Sequence, residues 1–275
     1  MTGETTGSEP AALVALAGRL ARESGRLLVE ASRHRQARLT LGDTARRKSS
    51  TTDLATEADR ASERLIVGGI KLARPDDAVL GEEGSDHAGS SGLTWFVDPI
   101  DGTTNFVYGF GSWTVSIGVA DGAGMLAGAV YDPLRDEMFT AARGCGAALD
   151  GHPLGPLAAP PLAESLIGTG FSYSAEDRRA QARLLPIVLP RVRDIRRAGA
   201  ASLDLCYVGA GRLNGFYEAG LHPWDRAAGL LVATEAGARY CDVDDLVPNR
   251  STLVVAPPGL LGELHALLVE AAARR

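Results

Sequence analysis

Residues 95–106 read Trp-Phe-Val-Asp-Pro-Ile-Asp-Gly-Thr-Thr-Asn-Phe, and no other stretch of the chain concentrates as much potential chemistry. An apolar run ends in Asp98. Pro99, Ile100 and a second acid, Asp101, follow, then Gly102 and two hydroxyl residues, Thr103 and Thr104. Carboxylates suit a hard cation such as Mg²⁺, and a helix start carrying hydroxyls suits a phosphate. A single segment offering both points to metal-assisted phosphate chemistry. Residues three apart on a straight strand face opposite sides, so Asp98 and Asp101 can share a metal only if the chain turns between them. Pro99 supports such a turn, because it fixes its own φ and keeps Asp98 extended. Gly102 supports a turn just beyond, and the Ile100 carbonyl between the acids is a third candidate oxygen. The same string also reads as an Asp-Pro turn with a helix N-cap.

Three other segments carry acids at element ends. Glu82 and Glu83 follow a short apolar strand and Gly81; two adjacent loop acids are also what a solvated turn looks like. His222-Pro223-Trp224-Asp225 leads into an apolar helix, where Asp225 serves either as an N-cap or as a cation ligand. Residues 53–59 run from Asp53 to Asp59, and their Thr56, Glu57 and Asp59 also fit a capping box.

The elements that must position these residues are legible in outline. Residues 11–31 and 58–73 carry helical periodicity, the second with Ile66 and Ile70 on one side and Glu63 among the polar residues. Residues 78–80 and 93–97 read as strands, and 114–120, 125–131 and 137–142 as antiparallel hairpins separated by Asp-Gly, Gly-Met and Asp-Pro breaks. After residue 152 the texture changes to a Pro-, Leu- and Ala-rich stretch, and beyond it strands and helices alternate. The expected organisation is a polar, disordered tail over 1–10, an α+β half over 11–152 and an α/β half over 153–275. With 275 residues, 45% of them hydrophobic, the chain is of ordinary globular composition. Its start lacks the pattern of a signal peptide, and no apolar run reaches the length of a membrane span. Three widely spaced cysteines suggest small, buried free thiols in a reducing cytosol. A net charge of −6 argues against broad nucleic-acid binding, although basic residues cluster at 33–38, 46–48 and 191–197.

The order and spacing of the four acidic segments resemble the inositol monophosphatase family, within the metal-dependent, lithium-sensitive phosphatases that also include fructose-1,6-bisphosphatase. The resemblance rests on residues 53–59, Gly81-Glu82-Glu83, residues 95–106, and residues 217–237 with their Trp-Asp and, ten residues on, Glu-Ala-Gly. It implies a layered αβαβα sandwich with the active site between the two halves. It also implies two to three Mg²⁺ ions: Glu82, Asp98 and the Ile100 carbonyl for a first, Asp98, Asp101 and Asp225 for a second, and Glu82 again for a third, largely hydrated one. By the same resemblance, Thr103 and Asp59 orient the attacking water, and Asp101 and the backbone N–H groups of Gly102 and Thr103 face the substrate. Gly199, Ala201 and Glu218 line the polyol pocket, and Lys48 sits on a mobile loop. Pro223 departs from the cysteine common in animal members, which touches loop stiffness and spares the ligand. The implied activity is hydrolysis of a small phosphorylated polyol, myo-inositol monophosphate first, with histidinol phosphate and fructose-1,6-bisphosphate as alternatives. A lithium-inhibited, cytoplasmic homodimer without membrane or nucleic-acid partners follows by the same resemblance. Some bacterial relatives are protein-binding regulators of transcription, for which residues 191–197 are the only pointer here.

Overall fold

The computed structural model describes residues 8–36, 45–47 and 54–274; Lys48 and Asp53 lie outside the described residues. In chain order the elements are α1 (Ser8–Gln36), β1 (Ala45–Arg47), β2 (Leu54–Thr56), α2 (Glu57–Ala73), β3 (Ala78–Gly81), β4 (Thr94–Asp101), α3 (Thr103–Tyr108), β5 (Thr114–Asp121), β6 (Gly124–Asp132), β7 (Glu137–Ala142), β8 (Gly146–Leu149), β9 (His152–Pro153), β10 (Leu166–Thr169), α4 (Ala175–Val188), β11 (Asp194–Arg196), α5 (Ala201–Gly209), β12 (Gly215–Ala219), α6 (Pro223–Glu235), β13 (Arg239–Val247), β14 (Arg250–Ala256) and α7 (Pro258–Ala273). The first helix begins at Ser8, so residues 8–10 of the expected tail are helical.

Strands β3 to β9 form one sheet in sequence order, parallel only between β3 and β4. A second sheet has the order β11-β10-β12-β14-β13, parallel across its first three strands and antiparallel beyond. Helices α1 and α2 cover one face of the first sheet, burying Leu20, Ile66 and Ile70 against Trp95, Ile117 and Val119. Its other face meets α5 and α6 through Phe139, Leu203, Ala228 and Val232. The far side of the same two helices meets the second sheet through Leu205, Ala233, Phe216 and Val255. Helices α4 and α7 close the outside over Ile167, Val254, Leu264 and Leu268. The result is a five-layer αβαβα sandwich.

The layering explains the residue types. Helices α5 and α6 are enclosed on both sides, so they are apolar almost all round. Strands β5 and β6 are buried on both faces and lack the clean alternation of a half-exposed strand. Small residues let α6 lie close: a Cβ on Gly118 would stand 2.8 Å from the Ala227 Cβ, and one on Gly128 3.0 Å from the Ala228 Cα. The three cysteines are free thiols; Cys206 is buried in the middle layer as expected, whereas Cys145 is exposed at a turn.

Candidate active site

The two acids of residues 95–106 are brought to one cleft wall by a β-bulge rather than a turn. In the β4–β5 ladder Asp98 faces Ser116 and Asp101 faces Thr114, so three steps on β4 match two on β5. The extra residue re-aims the side chains that follow it. Pro99 sits inside the bulge, where the missing N–H breaks no ladder bond. Asp98 accepts a hydrogen bond from the Ile100 N–H at 3.1 Å, and the chain then swings through Gly102 at φ 91°. A Cβ there would come within 2.8 Å of the Ser112 carbonyl, so position and conformation both require glycine. The helix that follows, α3, is only six residues long. It therefore adds local N–H groups, with little macrodipole. The Thr103 hydroxyl donates to the Ile100 carbonyl at 3.0 Å and lies 3.4 Å from Asp59, buried in the first turn of α2.

Each of the other acids arrives from a different element. Glu82 leaves the end of β3, which runs parallel to β4, and its N–H donates to the Val97 carbonyl at 3.1 Å beside Asp98. Glu63 holds the loop after it, accepting from the N–H groups of Glu83 (2.8 Å) and Ser85 (3.0 Å). The sequence pattern places Glu63 on the polar side of its helix; the structure buries it to 1% exposure over Gly81, where it secures the Glu82 loop. Asp225 stands in the first turn of α6 and accepts the His222 N–H at 2.6 Å, so it also does the cap work of the plainer reading. Asp101 faces the start of α5, accepting from the Ala201 N–H (3.1 Å), the Ser202 N–H (2.7 Å) and the Ser202 hydroxyl (2.6 Å). Ser202 touches Thr114 as well, at 2.9 Å.

These groups line a cleft of about 590 Å³. Glu82, Asp98, Ile100, Asp101, Gly102, Thr103, Gly199, Ala201, Glu218 and Asp225 are all on its wall; Asp59 stands behind it, in reach through Thr103. Burial, followed by the charges of Glu82, Asp101 and Asp225, pushes the Asp98 carboxyl well above the usual range, and it shares a hydrogen bond with Glu82. Burial also pushes Asp101 up, to about 6, against the lowering pull of its bonds to Ser202 and Ala201. Among the described residues, no three acid, His or Cys side chains already close into a tight cage. The donor set nevertheless fits a hard divalent cation. It is all oxygen, its mutual repulsion raises carboxyl pKa values, and Mg²⁺ takes few carboxylates and keeps waters for its remaining positions.

The rest of the cleft wall is legible in the sequence only in part. Glu218 is half-buried and packs where Gly170 lacks a side chain; a Cβ at 170 would fall 2.0 Å from its carboxyl. Burial, then the charges of Asp204, Asp225 and Asp101, raises its pKa well above the ordinary value. Phe171, Tyr173, Trp224, Arg197 and Arg250 complete the wall. Trp224 belongs to the His-Pro-Trp-Asp segment at the start of α6; the other four come from loops and strand ends far apart in sequence, with no motif to mark them. Asn105 ties α3 to the loops before β5 and α5, its amide donating to the carbonyls of Ser112 (2.6 Å) and Ala198 (2.8 Å). No helix among the described residues is long and apolar enough to cross a membrane.

Comparison with known proteins bears on the family and the fold. Residues 10–274 match the inositol monophosphatase family. An inositol-1-monophosphatase of Mycobacterium bovis is 44% identical over 278 aligned positions, covering 95% of this chain and 94% of that protein. The Nus factor SuhB of Pasteurella multocida is 36% identical, covering 90% and 92%. The crystal structure of the extragenic suppressor protein suhB from Bartonella henselae superposes with a TM-score of 0.82 at 32% identity, covering 94% of this chain and 98% of that one. A family match over nearly the whole length, relatives above 30% identity and the shared five-layer architecture lead to one conclusion: the chain belongs to the inositol monophosphatase family and is a phosphatase.

Proposed function

We propose that the chain hydrolyses a small phosphate monoester of a polyol, myo-inositol monophosphate first, with Mg²⁺ as cofactor. The observation that carries this is the bulge in β4, which puts Asp98, the Ile100 carbonyl and Asp101 on one wall with Glu82 and Asp225. Glu82, Asp98 and the Ile100 carbonyl would hold a first ion, Asp98, Asp101 and Asp225 a second, and Glu82 would reach a third. When bound, such ions neutralise phosphate charge and acidify water. The chain's own groups do the rest. The N–H groups of Gly102 and Thr103 bind phosphate oxygens. Thr103, backed by Asp59, orients the attacking water and accepts its hydrogen bond. Gly199 and Ala201 leave room for the sugar ring. Glu218 accepts hydrogen bonds from polyol hydroxyls. We take the working form to be a cytoplasmic homodimer on the family resemblance.

The test is phosphate release from inositol-1-phosphate, histidinol phosphate and fructose-1,6-bisphosphate with Mg²⁺, for the natural chain and for Asp98→Asn. The expected result is strongest turnover of inositol-1-phosphate, inhibition by Li⁺, and loss of about 10²–10³-fold in the variant. Preference for histidinol phosphate, whose ammonium Glu218 suits equally, would replace the substrate and keep the mechanism.

The relatives that are Nus factors favour a second reading, a protein-binding regulator. The basic stretch is mostly engaged: Arg191 pairs with Glu270, Arg193 donates to the Glu164 carbonyl, Arg196 pairs with Asp194, and Arg197 lines the cleft. A wild-type cellular phenotype from Asp98→Asn without phosphatase activity would establish the regulatory role.

A further inference from the structure

One face of α2 reaches three of the segments that build the cleft. Asp59, Ser62, Glu63 and Ile66 follow the i, i+3, i+4, i+7 spacing that brings side chains to one side of a helix. Ile66 packs into the core as an apolar residue does there, but the three before it are polar and just as buried. Asp59 lies beside Thr103. Ser62 donates to the Pro99 carbonyl at 3.1 Å, inside the β4 bulge. Its hydroxyl has one proton, so in the 2.5 Å contact with the Ser24 hydroxyl of α1 it is Ser24 that donates. The Pro99–Ile100 peptide is therefore held from both sides, its oxygen by Ser62 and its N–H by Asp98 at 3.1 Å. That peptide separates the Asp98 carboxyl from the Ile100 carbonyl. Glu63, the next residue on the helix, uses both oxygens on the loop that carries Glu82, accepting from the N–H groups of Glu83 and Ser85. Gly81 leaves it that space, since a Cβ there would stand 2.7 Å from Oε2. Stability alone does not call for these groups. A buried carboxylate and a buried hydroxyl lose hydration that their hydrogen bonds only offset, and apolar side chains of similar size commonly pack at least as well.

We propose that Ser62 and Glu63 are positioning residues, which fix the Asp98–Ile100 bulge relative to Glu82 and so preset the spacing of the oxygen donors for the first Mg²⁺. The two donor segments belong to different strands, yet both are held by neighbouring side chains of one helical turn. Mg²⁺ demands near-ideal octahedral geometry, which rewards donors set in advance. This rests on the Mg²⁺-dependent phosphatase reading and adds to it two residues that do not line the cleft.

The test uses the full chain with Ser62→Ala, Glu63→Gln and Ser24→Ala. Mg²⁺ affinity is read by titration calorimetry, amide exchange of the metal-free protein by NMR, and the fold by the urea midpoint. Ser62→Ala and Glu63→Gln are each expected to weaken Mg²⁺ binding about tenfold, the lower end of the usual effect of losing a group that orients a metal ligand. In the metal-free protein Glu63→Gln should also speed exchange at the Glu83 and Ser85 amides by about tenfold, the scale of one hydrogen bond. Ser24→Ala removes a buried hydroxyl one bond further from the bulge and should leave Mg²⁺ affinity unchanged. Glu63→Gln keeps the shape of the side chain and decides the matter should Ser62→Ala not fold. Natural Mg²⁺ affinity in either folded variant, or an equal loss in Ser24→Ala and Ser62→Ala, overturns the positioning role while inositol-1-phosphate turnover by the natural chain leaves the phosphatase reading standing. A natural chain that neither binds Mg²⁺ nor releases phosphate overturns both.

Discussion

Asp101 is held between opposing forces. Burial and the neighbouring acids favour its neutral form, while three hydrogen bonds from Ala201 and Ser202 favour the carboxylate, and the balance lies at about 6 against an ordinary 3.8. A folded-state pKa above the unfolded one stabilises the metal-free fold below about 3.8, and that contribution is lost as pH rises through about 6. Cation binding has the opposite sign, because a ligand must be deprotonated. Affinity for Mg²⁺ should therefore fall as pH drops through about 6, with proton release on binding near that pH and little at pH 8. Titration calorimetry in buffers of different ionisation enthalpy reads this directly, and pH-independent affinity would contradict it. Removing the Ser202 hydroxyl takes away the shortest bond to Asp101. Ser202→Ala is expected to weaken Mg²⁺ binding about 10–100-fold, the usual effect of losing a group that orients a ligand, with the unfolding midpoint of the metal-free protein little changed. The acids themselves were legible because each sits in a short local motif at the end of an element. Ser202, Arg197 and Arg250 were not, since their partners lie far off in sequence and only the fold brings them together.

At the scale of elements, the middle layer leaves no room for growth. Gly118→Val would drive a branched side chain into Ala227 and should destabilise the fold by about 1–3 kcal/mol. A lower urea midpoint with unchanged slope checks this; an unchanged midpoint would mean that α6 slides without cost. Sequence periodicity located most helices and strands, because long amphipathic or β-branched stretches announce themselves. It missed β13, whose Arg239–Val247 run carries three aspartates and mostly exposed side chains. As a sheet edge, β13 needs no apolar pair of faces. It also anticipated a turn where β4 makes a bulge. Pro99 and Gly102 announce irregularity, but only the register against β5 shows its form.

For the whole molecule, the site lies where layers meet, so its integrity depends on contacts between them. Asn105 is one such contact, joining α3 to the loops before β5 and α5. Asn105→Ala should lose activity at a lower urea concentration than the loss of helical circular dichroism, and the gap between the two transitions should be wider than in the natural chain. Coincident transitions in both proteins would show that the site and the layers melt as one. Alternating strands and helices suggested a mixed α/β molecule; the five-layer stacking entered through family resemblance, because periodicity does not reveal which face meets which. The packing of Glu218 against Gly170 has a consequence for how such proteins diverge. The three atoms nearest to a methyl group at 170 all belong to the flexible end of Glu218. Gly170→Ala should therefore move the acid out of its place on the cleft wall and lower selectivity among alcohols, measured as a flattened ratio of kcat/KM values across esters, while Mg²⁺ affinity stays within about twofold. One nucleotide change thus separates what the enzyme accepts from how it reacts, so new substrate preferences can be explored by drift without a detour through an inactive ancestor.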